Sequence, residues 1–212
     1  MKNSNNIFEV DHDNDDKKQV FIDAAICSLA NHGYKGTTVR QIAKYAKVTP
    51  GLLTHYYKGK EVLIAESYKY LAKQFLDGFQ EKIDEQESDP LKALQIFFQN
   101  IFEPDNLGSR FLRVWLAFWT LTLTEPSLRD AHKEIYNQYI LSIEAMLKEA
   151  YKINNISIEN KNINSLAIGI YALLDGLWLE CCLDPDEFDK KKNLDIVYNF
   201  VEKATGLNIQ SA

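Results

Sequence analysis

A basic stretch of the sequence carries the side chains best suited to chemistry with nucleic acid. Residues 17–60 contain eight lysines or arginines and a single acid, Asp23, so their net charge is +7. Residues 61–212 carry −9, and the overall charge of −6 therefore hides a compact basic segment. Arg40 has the guanidinium fork that recognises guanine, and Lys60 has an ammonium that attracts phosphate. This footprint predicts a DNA-binding segment, although a chance cluster of lysines on a solvated surface would carry the same charge.

No other residue pattern indicates catalysis or metal binding. The four histidines are scattered at positions 12, 32, 55 and 132, and no nucleophile has an obvious base beside it. The three cysteines are too few and too irregularly spaced for a disulfide framework or a metal site; they are Cys27, Cys181 and Cys182. We therefore expect no catalytic residue, metal or cofactor, and a reducing cytoplasm as the location. An all-α enzyme for a hydrophobic substrate, or a helical interaction protein, remains an alternative.

The basic stretch contains the signals of two short helices separated by about three residues. Thr38 and Gln41 have the spacing of a capping box, which predicts the start of the first helix. Thr49 followed by Pro50 predicts the start of the second, which can run to about Tyr56. Helices this short are unstable alone and must pack on each other. The pattern predicts a helix-turn-helix whose second helix presents its N-terminal residues to the DNA major groove; these are Thr49, Pro50, Gly51 and Leu52.

The remaining sequence predicts further helices with hardly any strand pattern. Before the basic helices, apolar residues recur at helical spacing up to a stop at Gly33. Later helices are expected at about 60–85, 90–102, 106–124, 126–151, 163–183 and 187–204. Nine helices without a repeat predict an all-α fold. Residues 1–16 are polar and acidic and predict a disordered arm. Neither a secretory leader nor an apolar run of membrane-spanning length is apparent.

Two of the later helices combine aromatic, acidic and small residues in stripes. One carries Trp115, Phe118 and Trp119, and the other carries Tyr171, Asp175 and Trp178. An Asp in an apolar bundle needs a partner, which Arg113, a tyrosine hydroxyl or a cationic ligand could supply. Opposite Asp175 lies a stripe of small residues that predicts close helix packing across a two-fold axis, namely Ser165, Gly169, Ala172 and Gly176. Aromatic stripes often belong only to a core, and that interpretation stays open.

The basic stretch resembles the helix-turn-helix of the TetR family of repressors. The matching positions are Thr38, Ile42, Ala43, Ala46, Val48, Thr49, Gly51, Leu53, Tyr56, Tyr57, Lys60 and Leu63. Lys47 departs from the pattern because the family usually has glycine in this turn. Lysine can adopt the left-handed conformation of the turn at a cost of about 1 kcal/mol. The resemblance implies a nine-helix repressor that binds a near-palindromic double-stranded DNA operator as a homodimer and is released by a small-molecule effector.

The resemblance also implies roles for particular residues. Carried over by position, the DNA contacts are Arg40, Thr49, Pro50, Gly51, Leu52, Thr54, His55, Tyr56 and Lys60. It implies a DNA-binding domain over 17–60 and a ligand-binding and dimerisation domain over 61–212. Alternatively, His55 is a solvated surface residue and Tyr56 and Tyr57 are core, which for Tyr57 is the stronger interpretation.

The segments WLAFW at 115–119 and LLDGLWL at 173–179 are similar to those of a choline-responsive subgroup of the same family. That similarity implies a quaternary ammonium effector, held by Trp115, Phe118, Trp119, Tyr171, Asp175 and Trp178. A different lipophilic ligand is the alternative.

Overall fold

The computed structural model describes residues 8–10, 16–84, 89–159 and 161–210. In these ranges the chain forms nine α-helices and no strand. The helices are α1 (Lys17–Gly36), α2 (Val39–Tyr45), α3 (Pro50–Tyr56), α4 (Lys60–Asp84), α5 (Pro90–Ile101), α6 (Ser109–Thr122), α7 (Pro126–Ile153), α8 (Ile163–Leu183) and α9 (Lys190–Thr205). The all-α prediction is confirmed.

Short-range capping explains where the two basic helices begin. The hydroxyl of Thr38 accepts the N–H of Gln41 at 3.1 Å, and the hydroxyl of Thr49 accepts the N–H of Leu52 at 3.3 Å. Both predicted caps are therefore present, and each satisfies a backbone donor that the first helical turn leaves free. The predicted stop at Gly33 also appears, because its φ of 63° kinks α1 three residues before the helix ends.

Two predicted helix starts are wrong by three residues. The sequence predicts that α6 begins at about residue 106 and α9 at about residue 187. In the structure they begin at Ser109 and Lys190. Before each helix, a proline opens a short 3-10 turn instead, at Pro104–Asn106 and Pro185–Glu187. Proline fits the first position of either kind of turn, so its position alone cannot distinguish them.

The described chain forms two compact units. Unit 1 comprises residues 1–73 and 110–134, and unit 2 comprises residues 74–109 and 135–212. This division by compactness differs from the predicted boundary at residue 60, because the start of α4 and all of α6 except Ser109 belong with the basic helices. The predicted functional division at that residue remains a prediction.

Unit 1 is built around a core shared by α1 to α4 and α6. Phe21, Leu53 and Phe118 are each fully buried in it. Arg113 on α6 donates hydrogen bonds to the backbone carbonyls of Ala30 and Asn31 on α1, each at 3.2 Å. These contacts explain why α6 belongs to the same unit as the first helix.

The predicted disordered arm lies mostly outside the described residues, which include only 8–10 and Asp16 of it. Phe8 lies 6.4 Å from the ring of Phe111, and the guanidinium of Arg110 lies 4.4 Å from the centre of the Phe8 ring. Asp16 caps α1 by accepting the N–H of Lys18 at 2.9 Å.

Unit 2 contains α5, α8 and α9 with most of α7 and the second part of α4. Phe97, Phe98 and Tyr151 are among its fully buried side chains. The hydroxyl of Tyr151 donates to the carbonyl of Thr205 at 3.0 Å, where α9 ends. Gly206 follows in the left-handed conformation, with φ of 78°, and closes the helix.

Helix α8 contains a longer apolar stretch than we expect of any segment from the sequence analysis. By length and composition it is apolar enough to span a membrane, so the expectation that no stretch reaches this length is wrong. Only a third of its most apolar stretch is buried in unit 2. Core helices of soluble proteins meet the same criterion, and the exposed apolar surface is the more informative finding.

Candidate DNA-binding face and effector-binding residues

The two basic helices form the predicted helix-turn-helix in unit 1. Helices α2 and α3 have seven residues each. Ile42 on the inner face of α2 and Leu53 on the inner face of α3 are completely buried. Lys47 in the intervening turn has φ of 53°, the left-handed conformation expected at this position. The tight turn and the shared core hold α3 with its N-terminus and outer face free.

Eight of the nine predicted DNA contacts are solvent-exposed. They are Arg40, Thr49, Pro50, Gly51, Leu52, Thr54, His55 and Tyr56. Leu52 and Tyr56 keep 38% and 42% of their surface exposed. Tyr57 is buried in the core and donates to the Glu66 carboxylate at 3.0 Å, and burial raises its pKa. The expectation that Tyr57 is core is confirmed, while Tyr56 keeps its exposed face.

Lys60, the ninth predicted contact, has partners that the sequence did not reveal. Its ammonium donates to the carbonyl of Thr37 at 2.9 Å and lies 4.0 Å from the centre of the Tyr34 ring. Thr37 is itself buried and accepts a hydrogen bond from Ser28 at 3.0 Å. An ammonium has three donors, so Lys60 ties α4 to the end of α1 and retains donors for a phosphate. No local spacing signals a contact across 23 residues.

The predicted effector residues of unit 1 belong to an aromatic cluster. Trp115 lies 5.7 Å from Tyr68 and 5.8 Å from Phe118, in edge-to-face geometry. Tyr68 and His132 were not predicted, yet their side chains are hydrogen-bonded at 2.9 Å. Burial lowers the pKa of His132, which favours the neutral form of its ring. Trp119 is half-buried on the same helix.

The indole N–H of Trp115 has a property that matters for binding. Its nitrogen is buried, and no acceptor bonds to it among the residues that the structure describes. A buried donor without a partner costs about 1–3 kcal/mol. The cluster therefore contains a hydrogen-bond donor that no described residue satisfies.

The predicted effector residues of unit 2 surround an acid. Tyr171 hydrogen-bonds Asp175 one helical turn away, and burial raises the pKa of Asp175 to about 6. The Tyr171 ring packs against Tyr136 at 5.3 Å and Tyr139 at 5.7 Å. Of the three partners considered for Asp175, the structure supplies the tyrosine hydroxyl. Arg113 is engaged with the α1 carbonyls described above.

Trp178 has a structural role in unit 2. It is buried, and its indole N–H donates to the carbonyl of Asn106 at 2.7 Å. Its polar atom is therefore already satisfied, unlike that of Trp115. The prediction that the residues of both units line one effector pocket remains a prediction. No group of three or more potential metal ligands occurs in the described ranges.

Two comparisons with protein families agree with this architecture. Residues 21–66 match the bacterial regulatory proteins of the tetR family. Residues 90–206, more than half of the chain, match the C-terminal domain of BetI-type transcriptional repressors. This chain belongs to the TetR family. It is a BetI-type member, and its relatives are transcriptional regulators rather than enzymes.

Relatives and solved structures extend the TetR-family similarity over most of the chain. The HTH-type transcriptional regulator BetI of Yersinia pestis is 25% identical over 195 residues, covering 92% of this chain and 94% of that protein. A transcriptional regulator from Pseudomonas aeruginosa PAO1 is 28% identical, with a TM-score of 0.81 and 92% of both chains covered. A regulator from Saccharomonospora viridis, solved in complex with choline, is 17% identical with a TM-score of 0.74. It covers 87% of this chain and 95% of its own, and shares the fold.

TetR-family membership confirms several predictions made from the sequence. The helix-turn-helix, the all-α fold and the function as a DNA-binding transcriptional repressor are all those of the family. Members act on DNA operators and respond to small-molecule effectors, typically as dimers. The particular residues that contact DNA and effector are properties of this chain, and the comparisons leave them untested.

Proposed function

We propose that this repressor binds a near-palindromic operator as a homodimer through α3 and Arg40, and that a small oxygen-containing cation, with choline as first candidate, releases it. The observation that carries the DNA half is the exposed face of α3. The residues on this face, both polar and apolar, are exposed to solvent, and they belong to the segment 17–60, whose net charge is +7. One seven-residue helix reads too few base pairs alone, so specificity requires two copies.

The exposed faces of α8 and α9 support the homodimer. On α8, the small residues of the stripe, including Gly176, are exposed or half-buried. A Cβ atom added at Gly169 or Gly176 would have no atom of another helix within 4 Å. Leu183 nearby is 58% exposed. On α9, Ile196 and Phe200 are 40% and 48% exposed. Apolar side chains concentrated on two helices indicate a surface that a second copy covers.

Two features support an oxygen-containing cation as the effector. Asp175 is a half-buried carboxylate whose charge is partly offset by the Tyr171 hydroxyl, its one hydrogen-bond partner among the described residues, so a cation would stabilise its ionised form. Trp115 offers an unused indole donor beside aromatic rings, which suits a hydroxyl oxygen next to methylammonium groups. Choline is such a cation, and the Saccharomonospora viridis regulator of the same fold was solved with choline. A different lipophilic ligand is the second candidate, favoured by the aromatic cluster alone.

Operator binding tests the first half of the proposal. The protein should bind DNA from upstream of its own gene at least a thousandfold more tightly than random DNA, a ratio of order 10³ being the lower end for specific regulators. Equal binding to both DNAs would exclude sequence-specific repression.

Effector binding tests the second half. Choline is compared with 3,3-dimethylbutanol, its uncharged analogue, by calorimetry and by release of the operator. Similar binding of the two would show that the cation is not recognised. Release requires that choline bind the DNA-incompetent state more tightly, because equal affinity for both states shifts nothing.

A further inference from the structure

A basic surface pocket lies beside the helix-turn-helix, outside the residues so far assigned to DNA. Its volume is about 480 Å³, and it is lined by His32 from α1, by Gln41, Lys44 and Tyr45 from α2, and by Lys47 from the turn. All five residues belong to unit 1. The pocket is open to solvent, and two of its five lining side chains are lysines.

The other three residues of the pocket bond to one another. The Nε2 atom of His32 lies 2.9 Å from the Gln41 amide nitrogen and 3.1 Å from the Tyr45 hydroxyl. That hydroxyl accepts a further bond from Asn31 at 3.1 Å. This network holds the wall of the pocket in place. The two lysines add positive charge to its lining.

Both lysines are available to an anion. Lys44 and Lys47 are exposed, and neither forms an ion pair with any carboxylate in the described ranges. The sequence also contains no acid between Asp23 and Glu61. Two unpaired cations beside a preformed wall favour a phosphate, which accepts hydrogen bonds on several oxygens.

The backbone of Lys47 adds an independent observation. Its φ of 53° lies in the left-handed region, where a side chain costs energy that glycine avoids. Strain of this kind is typically retained where the side chain is used. At Lys47 the side chain adds a positive charge to the lining of the pocket.

The position of Lys47 in the chain indicates which phosphate it meets. It lies two residues before Thr49, the cap of α3, so their Cα atoms are at most about 7 Å apart. The major groove is about 12 Å wide, and phosphates therefore border a helix centred in it at about 6 Å. We propose that Lys47, assisted by Lys44, binds a backbone phosphate of the DNA strand that flanks the groove entered by α3. This inference rests on the proposed role of α3.

The substitution Lys47→Gly separates binding from folding. Glycine removes the strain, so the melting temperature should rise by about 2–4 °C. Loss of one phosphate contact should weaken DNA binding by about eightfold per chain at 0.1 M salt, equally for operator and random DNA, and flatten the salt dependence by about 0.9 per contact. Because the variant is more stable than the parent, weaker binding cannot be attributed to unfolding. Affinity is measured by fluorescence anisotropy over a salt series.

Three controls complete the experiment. Lys47→Arg keeps the charge and should keep the parent's affinity, whereas Lys47→Asn, which tolerates the left-handed backbone, should behave like Lys47→Gly. Lys35→Gln removes an exposed charge from the same basic segment and should reduce the salt slope less. Unchanged affinity and salt slope in Lys47→Gly would overturn the proposal.

Inorganic phosphate serves as the probe for a free anion. If phosphate binds the DNA-free parent and not Lys47→Gly, while DNA affinity is the same in both, the pocket is a free-anion site and the DNA assignment is wrong. Failure of the proposed function would look different, because the parent itself would then not distinguish operator from random DNA.

Discussion

Lowering the pH should weaken the binding of a cationic effector through Asp175. Burial raises the pKa of this carboxyl from 3.8 to about 6 in the folded protein. A quaternary ammonium requires the ionised carboxylate, because the neutral acid offers it no charge. Cation affinity should therefore be almost constant above pH 7 and fall as the pH passes below 6.

The size of the effect follows from the pKa of about 6. The carboxyl is about nine-tenths ionised at pH 7 and about one-tenth at pH 5, so choline affinity should fall about tenfold between them. The stability of the free protein should change in the opposite sense. Because the folded pKa lies above the unfolded one, the ligand-free protein gains stability as the pH falls from about 6 to about 4.

Calorimetric titration of choline at pH 5, 6, 7 and 8 measures this dependence, and Asp175→Asn is the matched variant. The variant should bind choline weakly at every pH and should be more stable than the parent at pH 7, because it buries no charge. A pH-independent choline affinity in the parent would refute the reasoning. A tenfold fall that persists in Asp175→Asn would refute it equally, since another group would then be titrating.

Other substitutions test the remaining assignments. Gly176→Trp should convert dimers to monomers in sedimentation without unfolding the protomer, because Gly176 is exposed and a Cβ added there has no atom of another helix within 4 Å. Arg40→Ala should cost about 1–3 kcal/mol of operator binding and relax base preference at one position per half-site, as measured with a substituted operator series. Lys60→Ala should weaken all DNA equally and flatten the salt slope by about one unit; it should also lower the melting temperature, because the bond to Thr37 is lost. Trp115→Phe should abolish any preference for choline over ethyltrimethylammonium, which lacks the hydroxyl, in competitive calorimetry.

The features that could be predicted from the sequence are those that short segments determine. Thr38 and Thr49 cap their helices with donors three residues away, and Gly33 interrupts a helix through its own backbone. The left-handed conformation of Lys47 was implied by the resemblance, because the family usually has glycine at this position of the turn. These features depend on neighbours within one helical turn, so a single sequence contains the information.

Contacts between distant segments could not be predicted in the same way. Lys60 bonds to Thr37 across 23 residues, and Tyr68 bonds to His132 across 64. Each pair meets only because several helices pack together, and neither residue type signals its partner. The same limit explains why Trp115 and Trp178 looked equivalent in sequence, although only one of them has its indole N–H satisfied.

The bonds from Arg113 to Ala30 and Asn31 limit how this repressor can be recombined with other proteins. An exchange of effector domains at the end of the helix-turn-helix, near residue 60, would leave two α1 carbonyls without their guanidinium and would uncover the core surface against which Phe118 packs. A functional graft should instead carry residues 1–73 together with residues 110–134, the segments that form unit 1. Because those segments are not contiguous, the foreign domain has to be inserted between them as well as appended after them.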